Sequence, residues 1–164
     1  MTLNENEMKV LSLLSEDCRI APDKAALYLG LSEEFVNDTV KKLEAEKVIV
    51  GYPALVNWDK TPVEKVKAII EVKVTPQRDM GFDAIAERIY KFDEVTAVYL
   101  MSGAYDLLLE VQAETLRTLA TFVSQKLSTL DNVLSTATHF VLKKYKVDGV
   151  ILEDKKEDDR LAVT

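Results

Sequence analysis

The chain has 164 residues, of which 48% are hydrophobic and 30% are charged, and its formal net charge is −7. This composition is typical of a globular protein with one or two small domains. The single cysteine and single histidine exclude an internal disulfide and a cysteine-based zinc cluster, and they argue against a histidine-centred metal site or catalytic triad. We therefore predict no cofactor and no enzymatic activity.

The N-terminal residues carry no signal for export or membrane insertion. They have no basic start, no apolar signal core follows them, and no run in the chain approaches the roughly 18 apolar residues of a membrane span. We therefore predict a cytoplasmic protein without a membrane partner. Since the chain is acidic, it should bind a polyanion only through a local basic patch.

Three helices are predicted near the N-terminus. Asn4 can cap the first helix, which should end near Asp17. Pro22 suits the first position of a short second helix that Gly30 ends, and Ser32 can cap a longer third helix. Two helices joined by about three residues that include glycine are typical of a helix-turn-helix. A three-helix bundle without a role in nucleic-acid binding is the alternative.

A stretch rich in β-branched and aromatic residues follows these helices. Residues 48–58 favour an extended conformation, and Gly51 and Pro53 favour a bend or an edge position. A strand at this place would belong to a winged helix-turn-helix or would link two domains. The polar residues 59–62 mark the boundary, so we predict a first domain over residues 1–60.

The second predicted domain, residues 61–146, has an alternating and then a helical pattern. Strands are predicted at 66–74, 95–101, 105–111 and 133–142, and helices around 82–90 and 116–127. The order βαββαβ predicts a ferredoxin-like antiparallel sheet with both helices on one face, which makes the protein α+β. The tail, residues 147–164, is predicted to form a hairpin from strands at 150–152 and 160–163, with partial disorder as the alternative.

The sheet face opposite the helices should be too apolar to remain exposed to water. It should include some of Val98, Leu100, Leu108 and Val141. A second copy of the domain, packed sheet against sheet in a two-fold dimer, would cover this face.

A short loop joins the second and third predicted strands and carries an ionisable residue. Asp106 follows Gly103 and precedes three leucines, so its carboxylate needs a partner or access to water. One interpretation is a turn residue that accepts backbone N–H groups. The other is a carboxylate that faces a ligand at the end of the sheet.

The order and spacing of these elements resemble the Lrp/AsnC, or feast/famine, family of transcription regulators. The similar segments are Leu29–Ser32, Lys42–Glu44, Val48–Tyr52, Gly103–Leu107 and the strand that holds Thr136 and Thr138. The resemblance implies that the second domain is a RAM domain, which dimerises through its sheet and binds a free amino acid between dimers. Dimers would assemble into tetramers or octamers.

The resemblance also implies two sets of functional residues. The implied effector-binding residues are Ser102, Gly103, Ala104, Tyr105, Asp106, Ser135, Thr136 and Thr138. For double-stranded DNA, the candidate contacts that this chain offers on or beside the third helix are Ser32, Asn37, Thr39, Lys41, Lys42 and Lys47. A solvated helix face is the alternative for the lysines.

The third helix departs from the family pattern. It begins with Glu33 and Glu34, and it carries Thr39 where similar proteins commonly have arginine. Acidic residues at the end that approaches phosphates oppose DNA binding. The sequence therefore predicts a DNA-binding regulator that responds to an amino acid. The alternative is an oligomeric amino-acid-binding module with weak or lost DNA binding.

Overall fold

The computed structural model describes residues 2–76 and 81–153. The chain divides into two compact units between Leu55 and Val56. No helix among the described residues is long and apolar enough to cross a membrane. In chain order, the helices and strands are α1 Glu5–Glu16, α2 Pro22–Leu29, α3 Glu33–Ala45, β1 Val66–Val74, α4 Asp83–Ile89, β2 Val95–Leu100, β3 Leu107–Ala113, α5 Leu116–Phe122, β4 Val133–Phe140, β5 Lys146–Val147 and β6 Val150–Ile151. A 3-10 turn spans Trp58–Lys60, and a π-helical turn, Val123–Leu127, extends α5.

The three helices of the first unit begin and end where the sequence predicts. The side chain of Asn4 accepts the backbone N–H of Glu7, and the Glu7 carboxylate accepts that of Asn4, which completes a capping box. Pro22 opens α2, and Gly30 ends it in the left-handed region at φ 67°. Ser32 caps α3 by accepting the N–H of Phe35.

The core of this helical unit is small. Val10, Ala25, Ala26 and Val36 form its buried cluster. Met8 is 46% exposed, whereas Val10 is 1% exposed. The apolar stripe of α1 is therefore centred on Val10.

The predicted strand after α3 is wrong. The described residues of the helical unit contain no strand, and the segment from Val48 to Asn57 forms no strand ladder. Pro53 has no N–H to donate, and a strand needs a paired neighbour to complete its backbone hydrogen bonds. Neither the predicted wing nor the linking strand is present in this structure.

The second unit has the predicted ferredoxin-like topology. Its four-stranded antiparallel sheet has the order β2-β3-β1-β4. Alternate residues of β1 and β3 face the helices, as shown by Ile70, Val72, Leu107 and Leu109, which are all fully buried. Phe122 and Leu127 come from the α5 side of this core.

The opposite sheet face is less apolar than predicted. Val98 and Leu100 lie opposite Leu109 and Leu107, and directly paired residues share a face, so both belong to the helix side. Leu108 does lie on the open face, opposite Glu71. The prediction that some of the four named residues lie on the open face is therefore confirmed by Leu108, whereas the register with β3 puts Val98 and Leu100 on the helix side.

A hairpin that the sequence analysis did not predict follows the sheet. Strands β5 and β6 pair around Asp148 and Gly149, which have φ values of 46° and 83°. Asp-Gly is a strong signal for such a tight turn, and our interpretation overlooked it. The predicted second strand at 160–163 lies outside the described residues.

Candidate functional site

The loop between β2 and β3 is anchored to β1 by Asp106. The N–H of Asp106 donates to Val72 O at 3.0 Å, and its Oδ2 accepts the N–H of Val74 at 2.9 Å. Met101 N donates to Asp106 O at 2.8 Å and closes the loop. The carboxylate therefore accepts a backbone N–H, as the turn interpretation expected.

The other loop residues of the predicted effector set are more accessible. Ser102, Gly103 and Ala104 are exposed, while Tyr105 and Asp106 are half-buried. Strand β3 begins only at Leu107, so Tyr105 belongs to the loop and not to the strand as predicted. Since Asp106 Oδ1 has no hydrogen bond within residues 2–76 and 81–153, one carboxylate oxygen remains available to a cation.

The remaining predicted effector residues lie on edge strand β4. Ser135 is opposite Lys73 on the open face, while Thr136 is opposite the buried Val72 on the helix side. Thr138 follows two residues later on the same side. The Thr136 hydroxyl lies 3.5 Å from the Ser128 hydroxyl, just after the π-helical turn.

Strand β1 lies between the loop that holds Asp106 and the predicted effector residues of β4. Val72 pairs with Leu107, which follows Asp106, and with Thr136. Two strand spacings, about 9.5 Å, separate β3 from β4 across β1. This end of the sheet therefore offers a carboxylate oxygen on one side and hydroxyl groups on the other, which are suitable partners for an ammonium and a carboxylate group.

The predicted DNA contacts on α3 differ in accessibility. Thr39 is only 4% exposed, so it could read a base only if the helix repacked. Asn37 is half-buried and borders a cavity of about 170 Å³ together with Cys18 and Tyr52. Cys18 is exposed.

The lysines near α3 are partly neutralised within the helical unit. Lys42 Nζ donates to Glu7 Oε1 at 2.6 Å, and Lys41 Nζ lies 3.7 Å from Asp38. The hydrogen bond from Lys42 is the main cause that lowers the pKa of Glu7 below its ordinary value, and the N–H of Asn4 adds to it. Lys47 is exposed and has a φ of 59°.

Glu7 is a structural residue that the sequence interpretation did not single out as a contact between helices. Its side chain joins the start of α1 to α3, 35 positions away in sequence. The spacing Asn4-x-x-Glu7 was a detectable capping-box signal, but nothing local points to Lys42. Tyr52 makes a similar bond to Glu44 at 2.9 Å; burial and this contact raise the pKa of Tyr52.

The single histidine has a neighbour on the open sheet face. His139 Nε2 lies 3.5 Å from Glu71 Oε1. Both side chains are substantially exposed, so this contact is a surface pair on neighbouring strands.

A three-helix unit with a helix-turn-helix, followed by a ferredoxin-like unit, defines a class of ligand-responsive transcription regulators. Residues 67–151 match the model of the Lrp/AsnC ligand-binding domain. The chain belongs to the Lrp/AsnC family, and it is a helix-turn-helix transcriptional regulator with an amino-acid-binding type of domain.

Similar proteins extend over most of the chain. The HTH-type regulator YugG of Bacillus subtilis, itself named as uncharacterized, is 48% identical over 100% of this chain and 99% of its own. The proline dehydrogenase transcriptional activator of Rhizobium radiobacter is 30% identical over 90% of this chain and 94% of its own.

A solved structure of similar fold contains an amino acid. The transcriptional regulator NMB0573 of Neisseria meningitidis, solved as an L-Met complex, has a TM-score of 0.71 and 25% identity and covers 89% of this chain and 94% of its own. Escherichia coli AsnC, with a TM-score of 0.69 and 22% identity, covers 90% and 97% and shares the fold.

Proposed function

We propose that this regulator binds double-stranded DNA in the cytoplasm through α2 and α3 and that a free amino acid controls it. The helix pair joined at Gly30 supports this proposal, since Gly30 in the left-handed region and the Ser32 cap produce the short turn of a helix-turn-helix. Ser32, Lys41, Lys42 and Lys47 are the exposed members of the predicted contact set, although Lys42 donates to Glu7. Asn37 and Lys42 would have to leave their present environments to contribute.

The first test is a fluorescence-anisotropy titration onto the DNA upstream of the protein's own gene. Titrations at about 50 and about 200 mM salt, with random DNA of equal length as competitor, separate specific from non-specific binding. We expect tighter binding to the upstream DNA and a steep loss of affinity with salt. Equal affinity for random DNA would contradict sequence-specific regulation.

The second candidate is an amino-acid-binding oligomer that binds DNA weakly. It is favoured by the charge of residues 33–47, which contain five carboxylates and three lysines. No DNA binding at about 50 mM salt, together with retained amino-acid binding, would make this the correct function.

For the effector, we propose a site at the end of the sheet formed by the loop 102–106 and Ser135, Thr136 and Thr138. The free Oδ1 of Asp106 would accept the ammonium group, and the loop N–H groups and hydroxyls would bind the carboxylate. The L-Met complex of the similar Neisseria regulator makes L-methionine the first of the twenty amino acids to titrate.

Two variants of Asp106 separate a direct contact from a positioning role. Asp106→Asn keeps an oxygen for the N–H of Val74 but removes the charge, whereas Asp106→Ala removes both. We expect each variant to weaken binding of the amino acid by at least about tenfold in calorimetry, since bonds to charged groups are worth about 1.5–3 kcal/mol. Wild-type affinity in Asp106→Asn with loss in Asp106→Ala would reduce Asp106 to an anchor of the loop.

We also propose that two copies pack through the open sheet face and that dimers assemble further, up to an octamer. Ile69, 37% exposed, lies opposite Glu110 on β3 and His139 on β4, near the middle of this face. In the variant Ile69→Lys, the introduced side chain would be buried in such an interface, and its charge would have no partner. Light scattering at micromolar concentration should show a smaller particle for this variant, and a monomeric wild type would contradict the proposal.

A further inference from the structure

Six lysines of the second unit lie on neighbouring segments and form a feature that we call the lysine patch. They come from the 3-10 turn with the start of β1 and from the chain between β4 and β5. The members are Lys60, Lys65, Lys67, Lys143, Lys144 and Lys146.

Hydrogen bonds hold the segments of the patch next to each other. Val141 N donates to Lys67 O at 2.9 Å, which extends the contact between β1 and the chain after β4. Leu152 N donates to Tyr145 O at 2.9 Å, and the Leu152 carbonyl accepts Asn57 Nδ2 at 3.0 Å. The lysines are therefore gathered by the fold and not only by sequence proximity.

Two exposed aromatic side chains lie among these lysines. Lys65 Nζ is 4.4 Å from the centre of the Trp58 ring, and Lys143 Nζ is 4.7 Å from the centre of the Tyr145 ring. Lys143 also pairs with Glu153. Tyr145 is 62% exposed, so the patch presents flat aromatic surface as well as positive charge.

The patch is basic in an acidic protein. Its segments contain six lysines and four carboxylates, those of Asp59, Glu64, Asp148 and Glu153, whereas the rest of the chain has 15 basic and 24 acidic residues. Glu110 on β3 also acts on Lys67. Burial lowers the pKa of Lys67, and the neighbouring ammonium group of Lys144 lowers it further. The fold thus holds two like charges together at the end of the open sheet face, since Lys67 lies two residues before Ile69. A bound anion beside the proposed dimer interface would relieve their repulsion.

We propose that the lysine patch binds the phosphate backbone of double-stranded DNA and adds to the contacts of the helical unit. This inference rests on the DNA binding proposed above. It accounts for how a regulator with an acidic α3 obtains enough phosphate contacts, since Lys41 and Lys42 are paired with carboxylates of their own unit. Lysines supply sequence-independent affinity of this kind.

The test compares two double variants that remove the same charge. The patch variant, Lys144→Gln with Lys146→Gln, removes two patch lysines. The control variant, Lys91→Gln with Arg117→Gln, removes one exposed cation from the turn after α4 and one from α5. Anisotropy titrations of the full chain on upstream and random DNA, between about 50 and about 200 mM salt, give the slope of log affinity against log salt. We expect the patch variant to lose about 0.9 of slope for each lost contact per bound chain and to weaken on both DNAs.

Two further variants separate the loss of charge from a change of side-chain shape or a failure to fold. Lys144→Arg with Lys146→Arg keeps the charges and should restore the slope. If the double glutamine variant fails to fold, as judged by circular dichroism, Lys146→Gln alone replaces it because this side chain is exposed.

Three outcomes would overturn the inference. Equal slopes for the patch and control variants would show that overall charge, and not this surface, acts on DNA. A change of particle size in light scattering without a change of slope would identify the patch as a contact between copies. If the wild type does not bind DNA at about 50 mM salt, both this inference and the proposed DNA-binding function are overturned. If the wild type binds but the patch variant has the wild-type slope, this inference alone is overturned.

Discussion

The two units of this regulator are stabilised in different ways. The ferredoxin-like unit buries a continuous layer of aliphatic side chains between its sheet and helices, including Ile70, Leu109 and Leu119. The helical unit has a much smaller buried cluster. Its stability depends more on capping hydrogen bonds at its helix ends and on the bond between Glu7 and Lys42. A small unit gains less from burial, so single polar contacts matter more to it. The unit proposed to bind DNA is therefore the one whose stability is most sensitive to polar substitutions.

The largest effect should come from the core of the ferredoxin-like unit. Leu109→Ala removes a fully buried side chain at the centre of the sheet, which should lower the free energy of unfolding by about 2–5 kcal/mol. Urea unfolding followed by circular dichroism measures this loss. Leu134→Ala, at a site 69% exposed on β4, is the control and should change the value by less than about 0.5 kcal/mol.

An intermediate effect should come from Glu7 in the helical unit. Glu7→Gln can keep the capping box but removes the charge that Lys42 binds, while Glu7→Ala removes both, so the melting temperature should fall more for alanine than for glutamine. Because folding lowers the pKa of Glu7, its stabilising effect is present at pH 7 and disappears as the pH falls through that lowered pKa. Thermal melts of wild type and Glu7→Gln should therefore converge under acidic conditions. A constant difference at every pH would contradict the role of this ion pair.

The smallest effect concerns the turn between α2 and α3. Gly30→Ala places a side chain at φ 67°, although no atom lies within 4 Å of the added carbon, and should cost about 1 kcal/mol. Gly51→Ala is the matched control, since it also meets no atom within 4 Å and has no left-handed φ. Equal stabilities of the two variants would show that the conformation of Gly30 is not what sets this turn.

Much of the fold is predictable because its signals are local. The Asn4, Pro22, Gly30 and Ser32 signals predict the helix ends, since each acts on backbone groups within a few residues. The alternation in Val66–Val74 predicts β1 with the bounds that the structure has. The order of elements then leaves few topologies, and the ferredoxin-like arrangement is one of them. The segment after α3 was mispredicted because its extended residues lack a strand to pair with.

The sites were only partly predictable because they depend on contacts between distant residues. The sequence by itself determined that a carboxylate follows a glycine-containing loop, and that α3 begins with acidic residues. Only the tertiary structure decided that Asp106 binds the N–H of Val74, 32 positions earlier, that Thr39 is buried, and that Lys42 pairs with Glu7. Helix ends and turns follow from hydrogen bonds between near neighbours in sequence. The face that a side chain presents, and the charge beside it, follow from the packing of one element against another.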